Sequence, residues 1–251
     1  MRTRAGENKS IYFIILLLVV IAFAYAYNQN WFGLFSKKEG DIRQSEEKKV
    51  EEPVQKVYQL SSKEINEESN GSMIAIEYPS FGTAVDSKIK EVIDLKISDF
   101  KNSSGEALIN SDQFINISFS SANYSREIYG IKYDIVYGGG IRPIEDIECH
   151  TYNLDTSKEV FLRDVFKENS EYLSKLSEAT YVELLKDKTV DKNWVKEGTA
   201  AKEENFKNFI IDKENISFYF APGIVAPNTA GVKKVSVPLS SLKYFLNNYF
   251  N

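Results

Sequence analysis

The stretch Ile11–Tyr27, IYFIILLLVVIAFAYAY, constrains this chain more than any other. Seventeen residues pass without a polar interruption, and no charge falls between Lys9 and Lys37. That length sits at the lower limit for crossing a hydrocarbon core about 30 Å thick. Arg2, Arg4 and Lys9 precede it, and basic flanks stay on the cytoplasmic side. Trp31, Phe32 and Phe35 follow where an interfacial aromatic belt belongs. The spacing predicts a short cytoplasmic segment at 1–10, a transmembrane anchor over 11–35, and an exported remainder. A cleaved signal peptide is the rival reading, with Ala24-Tyr25-Ala26 as the processing site and a secreted product. Both readings put the bulk of the chain outside the membrane, single-pass in the first case and free in the second.

Residues 36–56, SKKEGDIRQSEEKKVEEPVQK, are charged, lack aromatics and contain Pro53. Such a segment has too little apolar surface to offset ordering, and it reads as a stalk. From about residue 57 to 251 the composition turns to Tyr, Phe, Ile and Val, enough for one ordinary domain. The whole chain has net charge −5; residues 1–57 carry nine basic and seven acidic side chains, a balance of +2, so the remainder carries −7. An acidic domain does not suit nucleic acid. One cysteine and one histidine exclude an intrachain disulfide and a Cys/His zinc centre, and no cofactor is expected.

The periodicities predict an α+β domain with a mostly antiparallel sheet and two main helices packed on it. Met73–Pro79 alternates and pairs with the extended Val57–Ser62. Thr83–Ser103 shows Val85, Ile89, Val92, Ile93, Ile97 and Phe100 on one face, with Lys96 among the polar residues opposite. Thr83 is its expected N-cap and Gly105 its stop. Gln113–Ser121 and Ile128–Tyr137 alternate as strands, and Glu148–Leu154 continues the meander. Glu171–Asp187 is the second helix, with Tyr172, Leu173, Leu176, Ala179, Val182 and Leu184 in a stripe. Residues 191–204 read as polar loop or weak helix. A hairpin over residues 208–221, a last strand and a terminal helix from Pro238 complete the domain.

Candidate sites need weighing against plain structure. Cys149 and His150 suggest a thiolate–imidazolium pair, but neighbours on a strand point to opposite faces. Gly138–Gly140 suggest a phosphate loop, yet Pro143 and β-type sequence follow rather than a helix, so a bend is expected. Glu145, Asp146 and Glu148 lack calcium-loop spacing and read as a solvated loop. Ala221–Gly231, APGIVAPNTAG, is a stiff apolar loop. It reads either as a packing plug or as a recognition loop on a rigid scaffold. Tyr124, Tyr129 and Tyr219 are the aromatics available for stacking on sugars or on a protein, but each taken singly reads as sheet-face packing.

Two blocks carry a resemblance. One is YGGG at Tyr137–Gly140 followed by TYNLDTSKEVFLRDVF at Thr151–Phe166. The other is FYFAPGIVAPNTAGVKKVSVPLSSL at Phe218–Leu242. In this order they resemble an exported bacterial domain, the RsiV/PdaC type, which occurs in a lysozyme-sensing anti-sigma factor and ahead of the catalytic domain of a peptidoglycan deacetylase. The resemblance covers roughly residues 57–250. It implies a non-catalytic binding or sensing module at the cell envelope, with peptidoglycan or a wall-active protein such as lysozyme as ligand. The sigma-binding and deacetylase parts have no counterpart, since the latter's metal site needs two histidines. Family members often carry a histidine after the glycines, where this chain has Gly140, Ile141 and Arg142. The candidate ligand contacts are therefore Tyr137 and Arg142 at the bend, and Tyr219, Pro222, Ile224, Pro227 and Asn228 at the proline loop. A carboxylate-dependent wall-glycan hydrolase and an assembly partner of another envelope protein are the alternatives.

Overall fold

The computed structural model describes residues 56–69, 71–104, 113–139 and 142–251. The expected anchor at 11–35, most of the stalk at 36–56, the helix stop at Gly105, and Gly140 and Ile141 lie outside the described residues. Among the described residues no helix is long and apolar enough to cross a membrane. Residues 55–251 form one compact unit.

The domain is α+β, but it holds two sheets where one was expected. Six strands form the first, in the order β1 (Ser61–Ser69), β2 (Ser72–Ser80), β3 (Gln113–Asn123), β4 (Ile128–Gly138), β5 (Ile144–Asn153) and β6 (Lys158–Glu159). Three form the second: β7 (Phe209–Ile211), β8 (Asn215–Phe220) and β9 (Lys233–Pro238). Every neighbouring pair is antiparallel except β2 and β3, which run parallel. A parallel pair requires a crossover, and α1 (Val85–Ser104) lies between them in sequence. The strand upstream of β2 starts at Ser61 rather than Val57, so Pro79 pairs with Ser62 inside the ladder. Proline is tolerated there because β3 pairs with β2 only as far as Ile76, so Pro79 has no ladder neighbour on that side.

Helix α1 covers one face of the first sheet. Val85, Ile89, Ile93 and Phe100 are buried against Ile74, Ile76, Ile115, Ile117, Ile131 and Ile135. Burying each isoleucine contributes about 1.5–3 kcal/mol. Asp86 ties the helix start to the strand before it. Its carboxylate accepts from the Ser80 hydroxyl at 2.6 Å, the Phe81 N–H at 2.8 Å and the Gly82 N–H at 3.1 Å. Gly82 has φ +67°, which lets the chain reverse there. Lys96 does not join the solvent face: it sits one turn from both Ile93 and Phe100 and reaches the sheet.

The second sheet packs with α2 (Leu162–Val165), α3 (Tyr172–Leu184), α4 (Lys192–Gly198) and α5 (Leu239–Leu242). The polar stretch read as loop or weak helix holds α4, capped by Asp191 on the Asn193 and Trp194 N–H groups, and a 3-10 turn follows at Glu203–Phe206. The buried face of α3 is Leu176, Thr180 and Leu184, while Val182 is exposed. Thr180 fits because its hydroxyl donates to the Leu176 carbonyl at 2.7 Å.

The other face of the first sheet meets β7. A Cβ built on Gly130 would lie 2.7 Å from Ile210 Cβ and 3.2 Å from its Cα, so only glycine permits this crossing. Ile147, Cys149, Ile210 and Tyr219 fill the interface.

Candidate functional site

Strand β5 pairs with β4 along its whole length, whereas β6 covers only Tyr152 and Asn153. Among the described residues no strand pairs with the outer edge of β5 from Ile144 to His150, and the Thr151 carbonyl accepts from the Val160 N–H at 2.7 Å. The acidic cluster expected as a solvated loop is thus part of a strand. Odd residues face the second sheet and even residues face α1.

Asn208 closes part of that edge. Its Oδ1 accepts from the Cys149 N–H at 3.2 Å and its Nδ2 donates to the Ile147 carbonyl at 3.1 Å. One carboxamide thereby supplies the two bonds that a residue of a parallel neighbour would make. Its own carbonyl accepts from the Tyr219 N–H at 2.9 Å, stitching β5 to β8. Replacing Asn208 with alanine strands both β5 groups and is expected to cost about 1–3 kcal/mol, read as a lower urea midpoint.

Around this edge runs a groove of about 440 Å³. Ile147 and Cys149 lie at its base. One wall holds Lys96, Glu148, His150 and Glu159; the other holds Glu204, Asn205, Lys207, Tyr219, Ala221 and Ile224. Glu148 sits 2.5 Å from Lys96 and 2.9 Å from His150 Nε2, and Glu159 sits 2.7 Å from His150 Nδ1. A neutral imidazole has one N–H, so two carboxylate partners call for the cation. Burial opposes that charge, but the bonds to Glu148 and Glu159 outweigh it and raise the His150 pKa to about 9. The His150 bond, working against burial and helped by Lys96, lowers Glu148 to about 2. Tyr133 and Tyr152 flank the ring, the latter stacked at 6.0 Å.

This arrangement holds charge rather than moving protons. Both ring nitrogens are engaged, so His150 has no lone pair to accept a proton. Cys149 lies on the opposite face, and burial pushes its thiol pKa up, away from thiolate. Glycoside hydrolysis needs one carboxyl held protonated, and Glu148 is driven the other way.

The candidate ligand contacts separate in space. Tyr219 and Ile224 line the groove. Tyr219 is not a surface ring: it is buried, flanked by Lys132 at 5.5 Å and Lys234 at 5.7 Å, and burial raises its pKa to about 12. Ile224 is 46% exposed, while Val225 and Ala226 beside it are buried, so the proline loop is both plug and groove wall. Gly198 at the end of α4 allows this, since a Cβ there would meet the Ile224 carbonyl at 2.7 Å. Pro222, Pro227 and Asn228 lie on the same loop but do not line the groove. Tyr137 is half-buried against the α1 core, and Arg142 is exposed beyond the bend. Gly138 ends β4 under the Phe114 ring, 1.8 Å from where a Cβ would be, and Gly139 turns with φ +114°. Sequence reasoning missed Lys96, Asn208 and Glu159; none stands in a local pattern that marks it.

Residues 163–240 match DUF3298, a family of proteins of unknown function. Over 189 residues the chain is 31% identical to the peptidoglycan-N-acetylmuramic acid deacetylase PdaC of Bacillus subtilis (strain 168), covering 70% of this chain and 39% of the deacetylase. Two solved DUF3298 structures share the fold. The one from Bacteroides fragilis NCTC 9343 is 15% identical with TM-score 0.51, over 76% of this chain and 94% of that one. The one from Pseudomonas aeruginosa PAO1 is 8% identical with TM-score 0.55, over 76% and 96%. Fold, family match and relative agree: this chain carries a DUF3298 domain of the PdaC type.

Proposed function

We propose that the domain is a non-catalytic binding or sensing module at the outer face of the cell envelope, held there by the apolar segment at 11–35. Its ligand is peptidoglycan. The observation that carries this reading is the groove at the free edge of β5, which combines apolar walls with fixed charges, as ligand clefts do. Similarity to part of a peptidoglycan deacetylase supports the ligand class.

Co-sedimentation of the full chain with purified peptidoglycan tests the ligand, with lysozyme titrated in parallel by calorimetry. Retention on peptidoglycan supports the reading. Binding to lysozyme alone would replace glycan with a wall-active protein, and binding to neither would leave the assembly role. Protease added to intact cells tests location: the domain is expected to be removed, and full protection would refute exposure at the outer face.

A further inference from the structure

Beside the groove lies a smaller chamber of about 70 Å³. Cys149, Glu159, Phe161 and Lys207 are walls of both, so the two adjoin. Val160, Leu162 and Phe209 make much of the chamber apolar. Thr151 also lines it, 1% exposed, with a hydroxyl that has no hydrogen-bond partner among the described residues. Folded proteins pair nearly all buried polar groups, and an exception calls for an explanation. A buried hydroxyl on a residue that lines a cavity has a simple one: the side chain finds its partner when a ligand enters.

The walls limit what that ligand group is. A water needs about 10–15 Å³ of such space, so the chamber takes roughly five non-hydrogen atoms. A carboxylate would meet Glu159 and Glu203, with Lys207 alone to offset them. An ammonium would lose its hydration among Val160, Leu162 and Phe209, and it would compete with Lys207 for the acids. A neutral amide carrying a methyl group suits each wall. The methyl packs on the apolar side chains and the carbonyl accepts from Thr151. The N–H donates to Glu159, of whose two oxygens His150 engages only Oε1.

We propose that the chamber reads the acetamido group of an N-acetylated amino sugar whose glycan chain lies along the groove. This rests on the groove being the ligand site proposed above. Thr151 is then a specificity residue: its hydroxyl is left unsatisfied in the free protein and satisfied in the complex.

The test is calorimetry of the full chain and its Thr151→Val variant with two probes, the N-acetylglucosamine tetramer and the glucosamine tetramer, alongside co-sedimentation with peptidoglycan. The acetylated tetramer is expected to bind at least about tenfold tighter, because a site with a buried polar group rejects the analogue that lacks its partner. Thr151→Val is expected to abolish that preference while raising the melting temperature by about 2–4 °C, since an unpaired hydroxyl is removed. Equal affinities for the two tetramers, or a preference retained by Thr151→Val, overturns the acetamido assignment. If peptidoglycan still co-sediments in that case, the wall-binding reading stands without it. Thr151-dependent binding of the acetylated tetramer without retention on peptidoglycan would do the reverse. No binding to any probe overturns both.

Discussion

Replacing His150 with glutamine is expected to destabilise the domain by on the order of 2–3 kcal/mol near pH 6 and to flatten its alkaline stability profile. The ring bridges Glu148 and Glu159 with one nitrogen on each, at 2.9 and 2.7 Å. Its side chain is 16% exposed and both carboxylates 30%, so solvent screens the cluster only partly. Glutamine leaves the two carboxylates without the cation between them. The sign follows from the direction of the shift. The folded pKa of His150, about 9, lies above the ordinary 6.5. Its stabilisation is therefore complete below about pH 6.5 and is lost as pH rises through about 9. Glu148 runs the other way: its pKa falls from 4.5 to about 2. That contribution is present above about pH 4.5 and is lost as pH falls toward 2. Urea unfolding of both proteins across about pH 5 to 10 checks this. A wild-type midpoint that stays level through pH 9, or a variant that declines in parallel, would show that the imidazolium does not hold the cluster.

Phe206→Ala is expected to cost about 3–5 kcal/mol, the range for emptying a large aromatic site. Phe206 is fully buried and meets Phe218 edge-to-face at 5.1 Å and Phe220 at 6.4 Å. The turn that carries it is tied to α4 by Asn205, whose Nδ2 donates to the carbonyls of Glu197 and Ala200. Glu204, Asn205, Lys207 and Asn208 line the groove on either side of it. Losing the ring should loosen that wall as well as the core, so ligand affinity should fall together with stability. Phe206→Leu restores most of the volume and should cost less than about 1.5 kcal/mol. A drop below about 1 kcal/mol for the alanine variant would mean the turn peels away without the core, contrary to its burial.

Much of the fold was legible where one residue's neighbours repeat its environment. Val85, Ile89, Ile93 and Phe100 recur at helical spacing because one helix face meets one sheet face throughout. Ile115 and Ile117, and likewise Ile131, Tyr133 and Ile135, alternate because those strands are covered on that side by α1. Strand geometry likewise separates Cys149 from His150 without any knowledge of the rest. Phe206 escaped because a single ring in EENFK makes no period, and a 3-10 turn needs only one anchor.

Local pattern thus determined the long helices α1 and α3, the strands β3 and β4, and the buried face of α1, but not α4 or the acidic half of β5. Only the tertiary structure decided that β2 and β3 run parallel, that the strands divide into two sheets, and that the free edge of β5 borders a groove. The reason is physical. Periodicity records the sidedness of one element, whereas the groove is made of single contacts between elements far apart in the chain. Lys96 meets Glu148, Asn208 meets β5, and Thr151 lines a chamber while its hydroxyl has no partner among the described residues. Each of these depends on where chains cross, and a crossing leaves no repeat in the sequence.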